Sequence, residues 1–351
     1  MNNERYSSRV HMKQRYEFLF IPLIFDKNVV EFNGKMFRGR ENMWFIFALI
    51  TTLAWGTADL FYKKGADEKD KYSHLKTSMM VGFIMGIHAI FMLLFTDMNY
   101  DFTNILVYLP VSMMYILSMT VGYFGLRYLE LSVSSPIQNS SGALTCLLCL
   151  IFLHQTLDTI SAVAVILICV GVFLLGVFEK AKQDEYEQLN NKKYKIGLVA
   201  FFMPVLYCII DAMGTFFDAY YLDDFLTTPL RNVTEATFEN VANTSYELTF
   251  LICAIIIFIF LKFIKKEKIV LKEQGNRGLA AIFETLGQFT YVYAMSGMAV
   301  ITAPMVASYS VISIALSRIF LKEKLNKKQY SVIVLVMLGI ALLGVAEGLI
   351  G

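Results

Sequence analysis

The sequence predicts an all-α membrane protein with ten transmembrane helices arranged as two inverted five-helix repeats, and three observations predict it. Of 351 residues, 56% are hydrophobic and only 17% charged, with mean hydropathy +0.55, too apolar for a water-soluble globule of this size. The apolar runs are continuous for roughly 18 to 23 residues and do not alternate, which fits helices that cross about 30 Å of hydrocarbon and not barrel strands. Finally, Leu131–Val177 aligns without gaps on Ala299–Val345 at an offset of 168, with 13 identities in 47 pairs. The identities include Pro136 with Pro304, and Gly171 and Gly176 with Gly339 and Gly344. Membrane composition inflates matches among Leu, Ile and Val, but it does not align Pro and Gly.

In chain order, residues 1–42 form a polar, basic N-terminal extension in which the apolar stretch 18–25 is too short to span. Met36 and Met43 are alternative starts. The first repeat covers 43–178, with spans at 43–63, 75–95, 104–126, 131–153 and 157–178. A polar linker, 179–195, precedes the second repeat, 196–351, whose spans are 196–217, 247–264, 278–297, 299–321 and 328–349. An acidic connection, 218–246, carries the sequons at Asn232 and Asn243, acceptors for glycosylation only if they lie outside a eukaryotic secretory membrane. Because five is odd, the two halves enter the membrane from opposite sides, an arrangement typical of alternating-access transporters.

Three motifs resemble the drug/metabolite transporter superfamily, specifically EamA-type permeases. They are Leu53-Ala-Trp-Gly-Thr-Ala-Asp59 in the first span, Leu126-Arg-Tyr-Leu-Glu-Leu-Ser132 entering the fourth, and Ile319-Phe-Leu-Lys-Glu-Lys-Leu325 ahead of Gly339 and Gly344. The resemblance implies transport of a small solute, of a class that ranges over amino acids, nucleobases, sugars and drugs. The chain departs from the family pattern at Leu153-His-Gln-Thr-Leu157, where a Gly-Glu-Arg turn is usual, and at Gly142 and Ser310, where a mid-helix proline is usual.

Ionisable residues inside spans cost on the order of 2.5 to 3.5 kcal/mol on insertion scales, so each needs a reason. Asp59 and Asp211 occupy matching places in spans 1 and 6, with Trp55 and Tyr207 four residues earlier. Asp59 also lies four residues before Lys63, where an i,i+4 salt bridge explains it equally well. Glu284 and Arg318 lie near the same end and are expected to pair, the rival role for Glu284 being proton or cation coupling. Prolines free carbonyls that can face a cavity, so Pro136 and Pro304 are candidate hinges. The candidate solute-binding residues are Tyr123, Gln138, Asn139, Asp211 and Tyr291; those for coupling are Asp59, Asp211 and Glu284. The Ser-rich run after Pro136 suits cavity lining and helix contact equally, and His88 is read as structural.

The partners implied are a small-molecule solute, a proton and the lipid bilayer; a net charge of +2 gives no reason to expect nucleic acid. The five cysteines all lie in apolar runs, and Cys146-x-x-Cys149 reads as helix packing. No cofactor or metal motif occurs, and neither a P-loop, His-Glu-x-x-His nor Gly-x-Ser-x-Gly is present, so a gradient would supply the energy. Two rival readings are an intramembrane aspartyl-type enzyme, which would use the two aspartates but lacks a Gly-x-Gly-Asp, and a non-transporting scaffold or receptor. Of 31 Lys and Arg, 22 adjoin the connections after spans 1, 3, 5, 7 and 9. By the positive-inside rule those connections are cytoplasmic in a cell membrane, opposite to the orientation usual in the superfamily.

Overall fold

The computed structural model describes residues 43–350 except Asp97, 191–196, Gly297, Lys324 and Asn326, and describes no side chain of 179–201 or 347–350. The N-terminal extension and part of the polar linker therefore lie outside the described residues. Among the described residues there is no strand. The helices are α1 (Trp44–Gly65), α2 (Ser73–Phe95), α3 (Leu109–Gly125), α4 (Leu131–Asn139), α5 (Ser141–Phe152), α6 (Thr159–Asn190) and α7 (Gly197–Leu222). They continue with α8 (Phe238–Ile259), α9 (Gly275–Met295), α10 (Ala299–Ala307), α11 (Tyr309–Leu316) and α12 (Lys327–Ile350). Single π-turns extend α8 to Ile264 and α11 to Leu321.

Eight helical segments are long and apolar enough to cross a membrane, counting α4 with α5 and α10 with α11 as one each. The two remaining expected spans are also helices: α3 is apolar but only 17 residues long, and α9 is longer but carries Arg277 and Glu284. The sidedness of the bundle is that of a protein dissolved in lipid. Ile87, Leu94, Phe152, Ile166 and Val334 point outward, each more than half exposed, while Ser, Thr, Gln and acidic side chains fill the interior.

Several boundaries differ from the hydropathy reading. The backbone of α6 runs helically to Asn190, into the expected linker. The connection expected at 218–246 contracts to 223–237, because α7 continues to Leu222 and α8 begins at Phe238. Glu239 and Asn243 are polar and lie before the expected span at 247–264, yet they are helical and buried against neighbouring helices. Asn243, only 1% exposed, is thereby removed as a glycosylation acceptor, whereas Asn232 stays exposed in the connection.

The central element is α10/α11, buried over 83% of its most apolar stretch against 33% for α12. It crosses α4/α5, and both are broken at the same place: Ser140 separates α4 from α5, and Ser308 separates α10 from α11. Each break lies four residues after its proline and 168 residues from the other. The local bonding is alike too. The amides of Ser140 and Ser308 reach back to Ile137 O (3.3 Å) and Met305 O (3.1 Å), and Ala143 and Val311 bond to Ser140 O and Ser308 O, all three residues away instead of four. Each serine hydroxyl also occupies a preceding carbonyl, Pro136 O for Ser140 and Met305 O for Ser308, which competes with regular helix bonding.

The connections gather at two ends. At one, Lys63 Nζ donates to Leu126 O (2.8 Å) and Leu129 O (2.6 Å), Arg127 donates to the carbonyls of Asp67, Glu68 and Lys71, and Lys76 pairs with Asp70 and Glu267. Partial burial would raise the Asp70 carboxyl, but its hydrogen bonds to Lys76 and the Tyr72 amide, with Arg277 nearby, hold it below the ordinary value. At the other end Asn104 bonds reciprocally with Arg231, and Gln155 bridges Asp223 to the Val300 amide.

At the crossing a Cβ on Gly142 would sit 2.5 Å from Ala307 Cβ and 2.7 Å from Ala303 O. Gly142→Val is therefore expected to force the two broken helices apart and lower stability by about 1 to 3 kcal/mol. Thermal unfolding of the purified protein in detergent checks this; an unchanged midpoint would mean that the helices do not cross so closely.

Candidate functional site

Four continuous helices each turn one stripe inward at i, i+4 and i+7 or i+8 spacing, the repeat of a single helix face. From α1 come Trp55, Asp59 and Tyr62, and from α9 Glu284, Gln288 and Tyr291. The stripe of α3 is Tyr115, Met119 and Tyr123, and that of α7 is Tyr207, Asp211 and Thr215. The broken helices add Gln138, Asn139 and Tyr309 from beside their breaks. Together they enclose a cavity of about 60 Å³, room for roughly four waters.

Three carboxylates share this cavity, each held by hydroxyl donors. Asp59 Oδ2 accepts from Ser135 Oγ of α4 and Ser313 Oγ of α11, both at 2.6 Å, so it ties α1 to the two broken helices at once. Asn139 Nδ2 donates to the same Ser135 hydroxyl at 3.2 Å. Asp211 accepts from Ser141 Oγ (2.7 Å), the first residue after the α4/α5 break, and from Ser118 Oγ of α3 (3.4 Å). Glu284 Oε2 accepts from Tyr62 OH at 3.1 Å. Aromatic rings line the same cavity and pack on one another: the Trp55 ring lies 4.9 Å from that of Tyr291 and 5.9 Å from that of Tyr309, and the Tyr62 ring 4.5 Å from that of Tyr123. Gly287 makes this possible on α9, since a Cβ there would lie 2.5 Å from the Trp55 indole nitrogen, which donates to Glu284 O (3.3 Å).

All the residues expected to bind solute or couple, Tyr123, Gln138, Asn139, Asp211, Tyr291, Asp59 and Glu284, line this one cavity. Two expected pairings do not form. Lys63 spends its ammonium on the carbonyls that end α3, leaving Asp59 to the serines. Arg318 is exposed over the Tyr330 ring at 5.0 Å, away from Glu284. For Lys63 a competing acceptor across the bundle decided, although i,i+4 residues share a face; for Arg318 helix rotation decided, since residues near one another along the membrane normal need not face each other.

Comparison with known proteins adds the family. The sequence model of the EamA-like transporter family matches residues 42–177 and 243–345. The chain belongs to the EamA-like transporter family. No curated protein matches it by sequence. A solved structure described as "Crystal structure of protein" superposes with a TM-score of 0.60 at 11% identity, covering 88% of this chain and 98% of that one, which is a likeness of fold alone.

This EamA-family chain also buries acids that the sequence reading missed. Asp218, wholly buried on α7, accepts a hydrogen bond from Tyr108 OH, and its other oxygen has no partner. Its signal was available: Asp211, Thr215 and Asp218 repeat at helical spacing, but the hydropathy window stopped at 217. Glu247, wholly buried on α8, contacts His88 Nδ1 of α2 at 2.8 Å, which supplies the structural partner expected for that histidine. Gln288 was missed although it lies one turn beyond Glu284.

Removing the Tyr108 hydroxyl would strip Asp218 of its one donor. Tyr108→Phe is expected to lower stability by about 1 to 3 kcal/mol, the cost of an unsatisfied buried polar group. A detergent unfolding series comparing Tyr108→Phe with the exposed control Tyr220→Phe measures it; equal midpoints would remove the bond from the account.

Proposed function

We propose that this chain is a secondary transporter that moves a small metabolite or drug-like solute across the cell membrane by alternating access, coupled to a proton through Asp211 together with Asp59 and Glu284. The observation that carries the reading is the meeting of three carboxylates with two broken helices at one cavity. A carboxylate accepts hydrogen bonds, whereas a protonated acid donates one, so a proton arriving at Asp59 or Asp211 changes which serines of α4, α5 and α11 it holds. Pro136 and Pro304 sit beside the breaks at which those helices would bend. A cavity of about 60 Å³ is far below the roughly 300 Å³ of ordinary small-molecule sites, so admitting a solute requires such a rearrangement.

Ten crossings, with α3 and α9 as the fifth pair, arranged as inverted repeats, fit this mechanism. The two family-matched segments, the offset of 168 and the matching breaks at Ser140 and Ser308 support that arrangement. An inverted repeat presents the same construction to each side, which is what alternating access needs.

Asp211→Asn keeps size and hydrogen bonding but cannot titrate. In proteoliposomes screened for solute flux, one pH unit across the membrane would drive about tenfold accumulation in a one-proton carrier. Asp211→Asn is expected to abolish that pH-driven accumulation. Unchanged rate and pH dependence would exclude Asp211 from coupling.

The basic end of the bundle, by the charge rule, faces the cytoplasm. Lys324, the obvious site for a labelling cysteine, lies outside the described residues, so the exposed pair Lys69 and Asp224 is the better choice. In intact cells an impermeant thiol reagent is expected to label Asp224→Cys and not Lys69→Cys; the reverse pattern would establish the opposite orientation.

A further inference from the structure

The cavity wall is chemically one-sided. It holds Asp59, Asp211 and Glu284, and among its lining residues there is no Lys, Arg or His. The base nearest in sequence, Lys63, one turn beyond Asp59 on α1, is held by the carbonyls of Leu126 and Leu129. An anionic or carboxylate-bearing solute would enter against three acids with no counter-charge, so the wall selects against it.

A second, independent feature points to a ligand. Gln288 is 1% exposed, and both its amide oxygen and its amide nitrogen lack partners. The amide nitrogen of Gln138, on the same wall, is also unpartnered. Buried polar atoms are nearly always hydrogen-bonded. Three such atoms on one cavity wall form a set of contacts that a polar guest completes. Gln288 Oε1 and the carboxylates accept N–H bonds from the cationic end of such a guest, while the Gln138 and Gln288 amide nitrogens donate to an acceptor elsewhere on it. The faces of Trp55, Tyr291 and Tyr309 supply the quadrupole that attracts a cation.

We propose that the solute is a small organic cation, a protonated amine or guanidinium compound that carries a hydroxyl or carbonyl acceptor elsewhere, its N–H end bound between the Trp55 face and Glu284 with Gln288 as its neutral hydrogen-bonding partner. This rests on the transport reading for its setting, but it is a statement about binding and is tested as binding.

The chain has two tryptophans, Trp44 and Trp55, and only Trp55 lines the cavity. Trp44→Phe therefore leaves a single reporter at the site. The purified Trp44→Phe protein is titrated with matched probes of one size: butylamine, butylguanidine, 1-butanol and butyrate, and with butyltrimethylammonium, which has charge but no N–H. The expected result is a saturable change in Trp55 fluorescence with butylamine or butylguanidine, at least about tenfold tighter than with butanol, butyrate or the quaternary ion. Glu284→Gln and, separately, Gln288→Leu should each weaken amine binding about tenfold; having two variants on different groups guards against one failing to fold. An equal or tighter response to butyrate or butanol, or no saturable response to any N–H cation, overturns the assignment. Amine binding without flux of any solute would leave this assignment standing and remove the transport reading. Flux of an anion without amine binding would do the opposite.

Discussion

Hydrocarbon offers no hydrogen-bond partner, and the rest of this structure follows from that constraint. Each polar side chain at depth must find its partner inside the bundle, so apolar residues such as Leu94 and Ile166 turn outward and acids turn inward. The acids of the cavity, and Asp218 beside it on α7, are not paired with bases. Asp59 and Asp211 each accept from two serine hydroxyls, and Glu284 and Asp218 each from one tyrosine hydroxyl. A hydroxyl can donate to an ionised carboxylate or accept from a protonated one. A hydroxyl partner can thus serve either state by reorienting, where a salt bridge would hold the acid in its charged form.

The same donors tie side-chain chemistry to backbone geometry. Ser135 and Ser141 flank the break in α4/α5, and Ser313 lies five residues past the break in α10/α11. Each break, four residues past a proline, is marked by local chemistry: a serine whose hydroxyl takes a carbonyl of the preceding turn and so competes with the regular helix bond. Gly142 then lets the two broken helices approach at that level, so the weakest backbone in each helix lies at their contact and against the cavity.

Periodicity made much of the site legible. Tyr123, Gln138, Asn139, Asp211 and Tyr291 could be singled out because a polar or ionisable residue within an apolar run has few reasons to be there. Gln288 and Asp218 fall on the same stripes as Glu284 and Asp211, and following the helical repeat past the hydropathy window would have found both. The pairings Asp59–Lys63 and Glu284–Arg318 failed because sequence distance fixes height along the helix but not what lies across from it. Lys63 found carbonyls freed at the end of α3, which no separation along one helix could indicate.

By itself the sequence determined the solvent this protein needs, the helical class, the resemblance to the EamA family and the residues too costly to be incidental, because these depend on composition, run length and spacing along one helix. Only the tertiary structure decided that three carboxylates from α1, α7 and α9 share one cavity, that serines and tyrosines rather than bases hold them, and that no base lines it. Those facts depend on how helices are rotated about their axes and packed against one another. That rotation is set by the summed contacts of many small side chains at crossings such as Gly142 with Ala303 and Ala307, a quantity spread across the whole chain and carried by no single motif.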